Sequence, residues 1–254
     1  MELFYREYGE GSPLIILHGL FGFSDNWVTF ARALSDRYRV FVVDQRNHGN
    51  SPQSGEWNYG VMAEDLKEFI ERHGLQGAVV LGHSMGGKTV MEFAAHYPEL
   101  ISKMIVVDMA PKAYEPRHDE IVAALRSVDL ASIQKRSDAE AALAVGIPDP
   151  GVRQFLMKNL ARNPQKGFRW KMNLPVIAEK IENVVEAVAQ GAHSMVPALF
   201  VRGANSNYVT DADIPAIEDI FADSEVVTVE GAGHWVHAEK PAELLEAVEE
   251  FLEA

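Results

Sequence analysis

Short apolar runs that stop at turn residues recur along the chain. They span residues 14–17 before His18-Gly19, 40–43 before Asp44, 78–81 before Gly82, 104–107 before Asp108, 198–201 before Arg202-Gly203, and 226–229 before Glu230-Gly231. Each run is continuous rather than alternating, which predicts strands buried on both faces of a sheet. Segments of helical period lie between most of them. Residues 27–34 set Trp27, Phe30, Ala31 and Leu34 on one face, and 61–70 do the same with Val61, Met62, Leu66 and Ile70. Residues 89–96 follow the third run. Residues 241–251 close the chain, with Pro241 suited to a first helical turn and Leu244, Leu245, Val248 and Phe251 as the apolar stripe. Strands alternating with helices predict an α/β fold, a mostly parallel central sheet with helices on both faces. The alternation breaks between Pro111 and about His193. No strand-like run stands out there; helical patterns cover 118–130, 138–145, 151–160 and 177–189. The expected organisation is a core of 1–110 and 194–254 with a helical cap insertion of 111–193.

One turn carries a specific chemical signal. Gly82-His83-Ser84-Met85-Gly86 follows the apolar run at 78–81 and opens a helical segment. A serine on a strained strand-to-helix turn exposes its hydroxyl above the sheet, and glycines two positions to either side leave room for backbone that would collide with a Cβ. The new helix aims its free N–H groups at the same place. Ser84 is therefore the expected nucleophile. Two N–H donors should hold the oxyanion. The amide of Met85 is one; the amide of Leu20 in His18-Gly19-Leu20-Phe21-Gly22 is the expected other, with Phe21 as the alternative. His18 is expected to shape that loop.

The base should follow the last strand. His234 does so, in the glycine-rich stretch Gly231-Ala232-Gly233-His234-Trp235. His237 reads as its neighbour, His83 as pointing away from the pocket, and His48 as a loop residue. His73, His96, His118 and His193 have no motif around them. The acid is less clear. In most enzymes with the chain order serine, acid, histidine, it follows the strand at 198–201, but the slot three residues after Gly203 is Ser206. A neutral serine does not offset an imidazolium charge. Asp108, at the end of the adjacent run, is the preferred carboxylate, with Asp211 and Asp213 as alternatives and Ser206 as a fourth member holding His234 or Asp108. Asp44 is expected to brace its own turn through Arg46 or nearby amides.

Composition excludes other classes. The 254 residues include no cysteine and carry a formal net charge of −14. Thiolate metal sites and a thiol nucleophile are thereby removed. The negative field disfavours nucleic acid and anionic membrane surfaces as partners. Charged residues among the first ten, Glu2, Arg6, Glu7 and Glu10, do not suit a signal peptide. No apolar run approaches the roughly 18 residues of a membrane span. A cytoplasmic location is expected. No metal or organic cofactor is implied: phosphate-binding and zinc-protease motifs are missing, and no GxGxxG follows a strand.

His18-Gly19, DQRNHGNS at 44–51, GHSMGG at 82–87, VVDMAP at 106–111, RGANSNYV at 202–209 and GAGHWVHAEKP at 231–241 together resemble the α/β-hydrolase superfamily. Within it the set is similar to small bacterial carboxylesterases and acyl-CoA thioesterases and their mitochondrial relatives. The resemblance implies that the acid has moved to the strand before the cap, at Asp108. It disfavours haloalkane dehalogenases, for which it implies an aspartate where Ser84 stands. The implied reaction is acyl transfer from a small-molecule ester or acyl-CoA to water. A carbon–carbon bond hydrolase or lyase on the same triad, and a catalytically silent receptor beneath the cap, are the competing readings. Phe21, Trp27, Trp235, Phe168 and Trp170 are expected to line the substrate pocket, with Phe155, Met157 and Met172 as further candidates. Residues 151–175 contain no acidic residue but include Arg153, Lys158, Arg162, Lys166, Arg169 and Lys171. That local positive field could seat CoA phosphates; the alternative is a solvated helix face with the stems over apolar surface.

Overall fold

In the computed structural model, which describes residues 1–116, 118–165 and 167–254, the chain begins with β1 (Tyr5–Tyr8) and β2 (Ser12–Leu17). Then α1 (Val28–Leu34) leads into β3 (Tyr38–Val43), α2 (Tyr59–His73) into β4 (Ala78–His83), and α3 (Met85–His96) into β5 (Ile101–Val107). Three helices follow, α4 (Asp119–Ser127), α5 (Arg136–Gly146) and α6 (Pro150–Met157). A hairpin of β6 (Leu160–Arg162) and β7 (Phe168–Trp170) and the short α7 (Leu174–Glu179) complete this stretch. The chain then returns through β8 (Ala198–Gly203), α8 (Ile214–Ile220), β9 (Ser224–Val229), α9 (Val236–Glu239) and α10 (Pro241–Glu253).

Seven strands form one sheet in the order β1-β3-β2-β4-β5-β8-β9. Only β1 runs antiparallel, pairing Tyr5 with Val43 and Tyr8 with Val40. Alternate side chains of each central strand enter two different cores. Leu14, Ile16, Val40, Val42 and Leu81 pack with Trp27, Phe30 and Leu34 of the α1 region and with Leu244, Val248 and Phe251 of α10. Ile15, Leu17, Phe41, Val80 and Val106 pack beneath α2, α3 and the segment between β5 and β8. This two-sided burial is why the runs read as continuously apolar.

Parallel register brings the functional loops together. Leu17 pairs with Val43 and Gly82, His83 with Val107, and Val107 with Val201. The residues that follow, His18, Asp44, Ser84, Asp108 and Arg202, therefore emerge along one edge, the carboxyl ends of the strands.

Two expectations for 111–193 are corrected. The helix expected over 177–189 ends at Glu179, followed by a 3-10 turn at Ile181–Val184. Backbone groups beyond it bond to other elements instead of to a helix ladder. Tyr59 Oη donates to the Val184 carbonyl at 2.8 Å, the Tyr114 amide to Val185 at 2.8 Å, and the Val188 amide to Pro111 at 2.9 Å. The second correction is the β6–β7 hairpin, in which Leu160 pairs with Trp170 and Arg162 with Phe168. Its alternation, buried Phe168 and Trp170 around exposed Arg169, spans too few residues to stand out in a sequence. At the edge of the sheet, β1 is also marked by no apolar run, because its residues are half-buried or, at Glu7, exposed.

Candidate active site

The turn after β4 forces Ser84 into the left-handed region, with φ 53° and ψ −118°. Two glycines make room. A Cβ on Gly86 would lie 2.5 Å from the Leu17 carbonyl oxygen and 2.7 Å from that of His18, and one on Gly82 would strike the Gly86 carbonyl. The Ser84 amide is anchored to Val107 O at 3.1 Å. The hydroxyl then donates to His234 Nε2 at 3.0 Å. On the other side of the ring, Nδ1–H donates to Asp108 Oδ2 at 2.7 Å.

Asp108 is fully buried and itself left-handed, with φ 50°. Its amide bonds Val201 O at 2.7 Å, and its Oδ1 accepts the Gly203 amide at 3.0 Å. Ser206 Oγ donates to Oδ2, the oxygen that faces His234, and takes the Tyr208 amide at 3.2 Å. Of the two places proposed for Ser206, the structure thus shows the one on Asp108. The alternative carboxylates lie elsewhere: Asp211 pairs with Arg202 at 2.6 Å, and Asp213 with Lys112 at 2.7 Å.

The loop after β2 is equally constrained. Phe21 has φ 60°, unfavourable for a bulky side chain. Both of its backbone groups are held: N–H by His48 Nε2 at 3.3 Å, C=O by Asn159 Nδ2 at 2.7 Å. With the Phe21 amide so engaged, the Leu20 amide is the one left of the two considered for this loop. His18 Nδ1–H donates to Gly19 O at 2.8 Å, and its Nε2 accepts the Gln45 amide at 2.9 Å. Asp44 braces its turn by accepting the Ser24 amide at 2.6 Å and the Asn50 amide at 2.8 Å; Arg46 bonds Asp65 instead.

Histidines around His234 are kept neutral. Burial pushes His18 down to about 4, and burial, reinforced by His18, pushes His48 down to about 3. Burial first, then the neighbouring His234, pushes His237 to about 3. His83, also lowered mainly by burial, does not point away from the pocket as expected. Its Nε2–H donates to the His234 carbonyl at 2.9 Å, and its ring lines a cavity beside Ser84. It thereby fixes the loop that carries the imidazole. His237 stacks on Trp27 with centroids 4.3 Å apart.

Two cavities meet at Ser84, and Leu20, His118 and Tyr208 border both. The larger, about 310 Å³, runs between Tyr59, Met85, Met109, Tyr114 and Val184. The smaller, about 160 Å³, contains Phe21, Trp27, Phe155, His234 and Trp235. Phe168 and Trp170 line neither. They are 5% and 8% exposed and pack into the core beneath the hairpin, a correction to the expected pocket, as it is for Met157 and Met172. None of the described cations of 151–175 lines either cavity. Arg153 bonds the carbonyls of Ile147 and Pro148, Arg162 lies over Phe168, and Lys171 sits 3.9 Å from the centre of the Phe23 ring. Lys166 lies outside the described residues.

Several site residues escaped the sequence reading. Tyr208 stacks on the His234 ring at 3.9 Å and 17°. It lies two residues after Ser206, and that proximity was the available signal. His118 borders both cavities with a buried Nδ1 that makes no hydrogen bond among the described residues. Asn159 and Lys88 carried no signal: each acts through a backbone carbonyl distant in sequence.

The sequence matches the family described as alpha/beta hydrolase fold over residues 12–241. It is 38% identical over 244 residues to an Escherichia coli protein named esterase YbfF, covering 95% of this chain and 93% of that one. It is 36% identical over 247 residues to a mouse protein named sn-1-specific diacylglycerol lipase ABHD11, covering 94% and 80%. A solved structure titled marine microorganism esterase superposes with a TM-score of 0.96 at 44% identity, covering 98% of this chain and 99% of that one. The chain belongs to the α/β-hydrolase family.

Proposed function

We propose that this protein is a serine hydrolase of carboxylic esters that works through an acyl-enzyme on Ser84. The observation that carries the reading is the continuous relay from Ser84 Oγ to His234 at 3.0 Å and from His234 to Asp108 at 2.7 Å. Ser84 Oγ attacks the ester carbonyl while His234 Nε2 takes its proton. The amides of Met85 and Leu20 receive the oxyanion. Asp108 holds the tautomer with Nδ1 protonated and stabilises the imidazolium. Nε2–H then protonates the departing alkoxide oxygen. In the second half, water gives a proton to Nε2, attacks the acyl carbonyl and releases the acid, and Ser84 recovers its proton. Ser206 positions Asp108 by occupying a lone pair of Oδ2.

The proton route assigns the cavities. The leaving oxygen must face His234, so the smaller cavity, which contains that imidazole, takes the alcohol part, walled by Phe21, Trp27 and Trp235. The larger takes the acyl part. Residues 111–193 serve in this reading as a cap over the strand ends. The names esterase and lipase among the relatives point the same way. An oxygen ester fits better than a CoA thioester, since the described cations of 151–175 form no cluster at either cavity.

p-Nitrophenyl acetate should give a burst of nitrophenolate followed by turnover, and a fluorophosphonate should label Ser84. Turnover retained in Ser84→Ala, or a probe that labels another residue, overturns the reading.

A further inference from the structure

Asn26, Phe155, Trp235 and His237 line the smaller cavity and also line a second depression of about 630 Å³, so these side chains are what stands between the two spaces. This groove runs over the surface between three elements: Thr29, Phe30 and Ala33 of α1, Gly151 and Gln154 of α6, and Ala242 and Leu245 of α10. The partition between the two spaces is aromatic, with the centres of the Phe155 and Trp235 rings 6.0 Å apart. No carboxylate lines the groove among the described residues, although the chain as a whole carries −14; its one charged lining residue is Lys158. An acidic protein that keeps an apolar trough free of its own carboxylates, one layer of side chains from the cavity at Ser84, has a surface suited to alkyl chain rather than to a charged partner.

We propose that this groove seats a long alkyl chain on the alcohol part of the ester, so that the favoured substrates are esters of lipid-like alcohols. The inference rests on the esterase reading, because the proton route from His234 is what makes the adjoining cavity the alcohol side. From the ester oxygen the chain passes between Trp235 and Phe155, whose side chains part to admit it, and lies along Phe30 and Leu245. The acyl part turns the other way, towards Tyr59 and Val184. The two halves of the substrate are thus read by different surfaces.

Two isomeric esters test this. Octyl acetate and ethyl octanoate have the same atoms and differ only in which side of the carbonyl carries the chain. Against ethyl acetate, and below its solubility limit, octyl acetate should show a rise in kcat/KM of about a hundredfold. That is well short of full burial of its six added methylenes, as suits an open groove. Ala33→Glu and Ala242→Glu place a carboxylate on facing walls at exposed positions, and in the second case near a helix N-terminus, where a negative charge is favourable. Each should lower the octyl acetate to ethyl octanoate ratio about tenfold. If acetates are hydrolysed through Ser84 but kcat/KM is flat with alcohol length, or if neither variant moves the ratio, the groove assignment is wrong and the esterase reading stands. If no ester is hydrolysed and Ser84 is not labelled, both fail together.

Discussion

The strand ends and the segment crossing above them are held in place by different means. At the strand ends, Ser84, Asp108 and Phe21 all adopt positive φ, each a conformation that costs on the order of 1–3 kcal/mol and persists only where neighbours over-determine it. Their backbone groups are fixed by hydrogen bonds to adjoining strands and loops. The segment between β5 and β8 shares the apolar core and is tied to the rest by isolated polar side chains reaching across long sequence distances. Asn159 reaches Phe21, Asn173 reaches Asn47, Asn183 reaches Trp57, and the buried Lys88 ammonium holds the Glu186 carbonyl. The difference separates two jobs. In the proposed reaction the edge carries the reacting groups, and the tied segment contributes cavity walls. Asn159 alone in this set reaches the strained loop after β2, at the Phe21 carbonyl.

Breaking the edge itself should have the largest effect. Ser84→Ala removes the nucleophile and should lower kcat by about 10⁶-fold, measured with p-nitrophenyl acetate. Asp108→Asn should follow at about 10⁴-fold, because it removes the charge that stabilises the imidazolium and favours the wrong tautomer. Ser206→Ala leaves that charge in place and should cost about tenfold. A Ser206→Ala loss equal to that of Asp108→Asn would mean that Ser206 does more than position the carboxylate.

The ties come next, and a pair of them sharpens the contrast. Asn159→Ala frees the Phe21 carbonyl, lets the strained turn relax and moves the Leu20 amide. Losing one oxyanion donor outright costs 10²–10³-fold, so a displaced donor should lower kcat by about 10–100-fold with KM little changed. Asn183→Ala removes a similar bond, to the Trp57 carbonyl at 2.7 Å, which touches no residue of the loop after β2. It should destabilise the fold by about 1 kcal/mol and leave kcat within about twofold. Equal kcat losses in the two variants would dissolve the distinction between edge and tie.

This division also explains what could be read from the sequence. The edge was legible because strained turns demand particular residues: Gly82 and Gly86 around Ser84, and Gly231 and Gly233 before His234. Asp108 was legible from its place one strand from the nucleophile, once Ser206 occupied the usual slot. The walls were not. Phe168 and Trp170 looked like pocket aromatics, yet they face inward from a hairpin whose period-2 signal lasts three residues per strand. Tyr59, Tyr114 and Val184 reach the larger cavity from elements far apart in sequence, so no local spacing joins them. His83 was misplaced because its motif position says nothing about rotamer, and a carbonyl of the base loop decides that rotamer.

An effect read only in the pH dependence of stability, with no change in rate at neutral pH, concerns the loop beneath the oxyanion turn. His48 is fully buried and pushed down to about 3, below its ordinary value of 6.5. Between those values the unfolded chain binds a proton that the folded chain does not, so stability is complete above pH 6.5 and is lost as pH falls towards 3. One such group contributes a slope of about 1.4 kcal/mol per pH unit in that window. His18, lowered to about 4, adds to the slope in the same direction. His48→Gln places an amide oxygen near the position of Nε2, where it can accept the Phe21 amide without titrating. Urea unfolding followed from pH 7 to pH 5 should therefore show a shallower decline for the variant, by one proton's worth. An unchanged slope would mean that His48 is already protonated in the folded protein, and a cation there could not accept the Phe21 amide that holds the oxyanion turn.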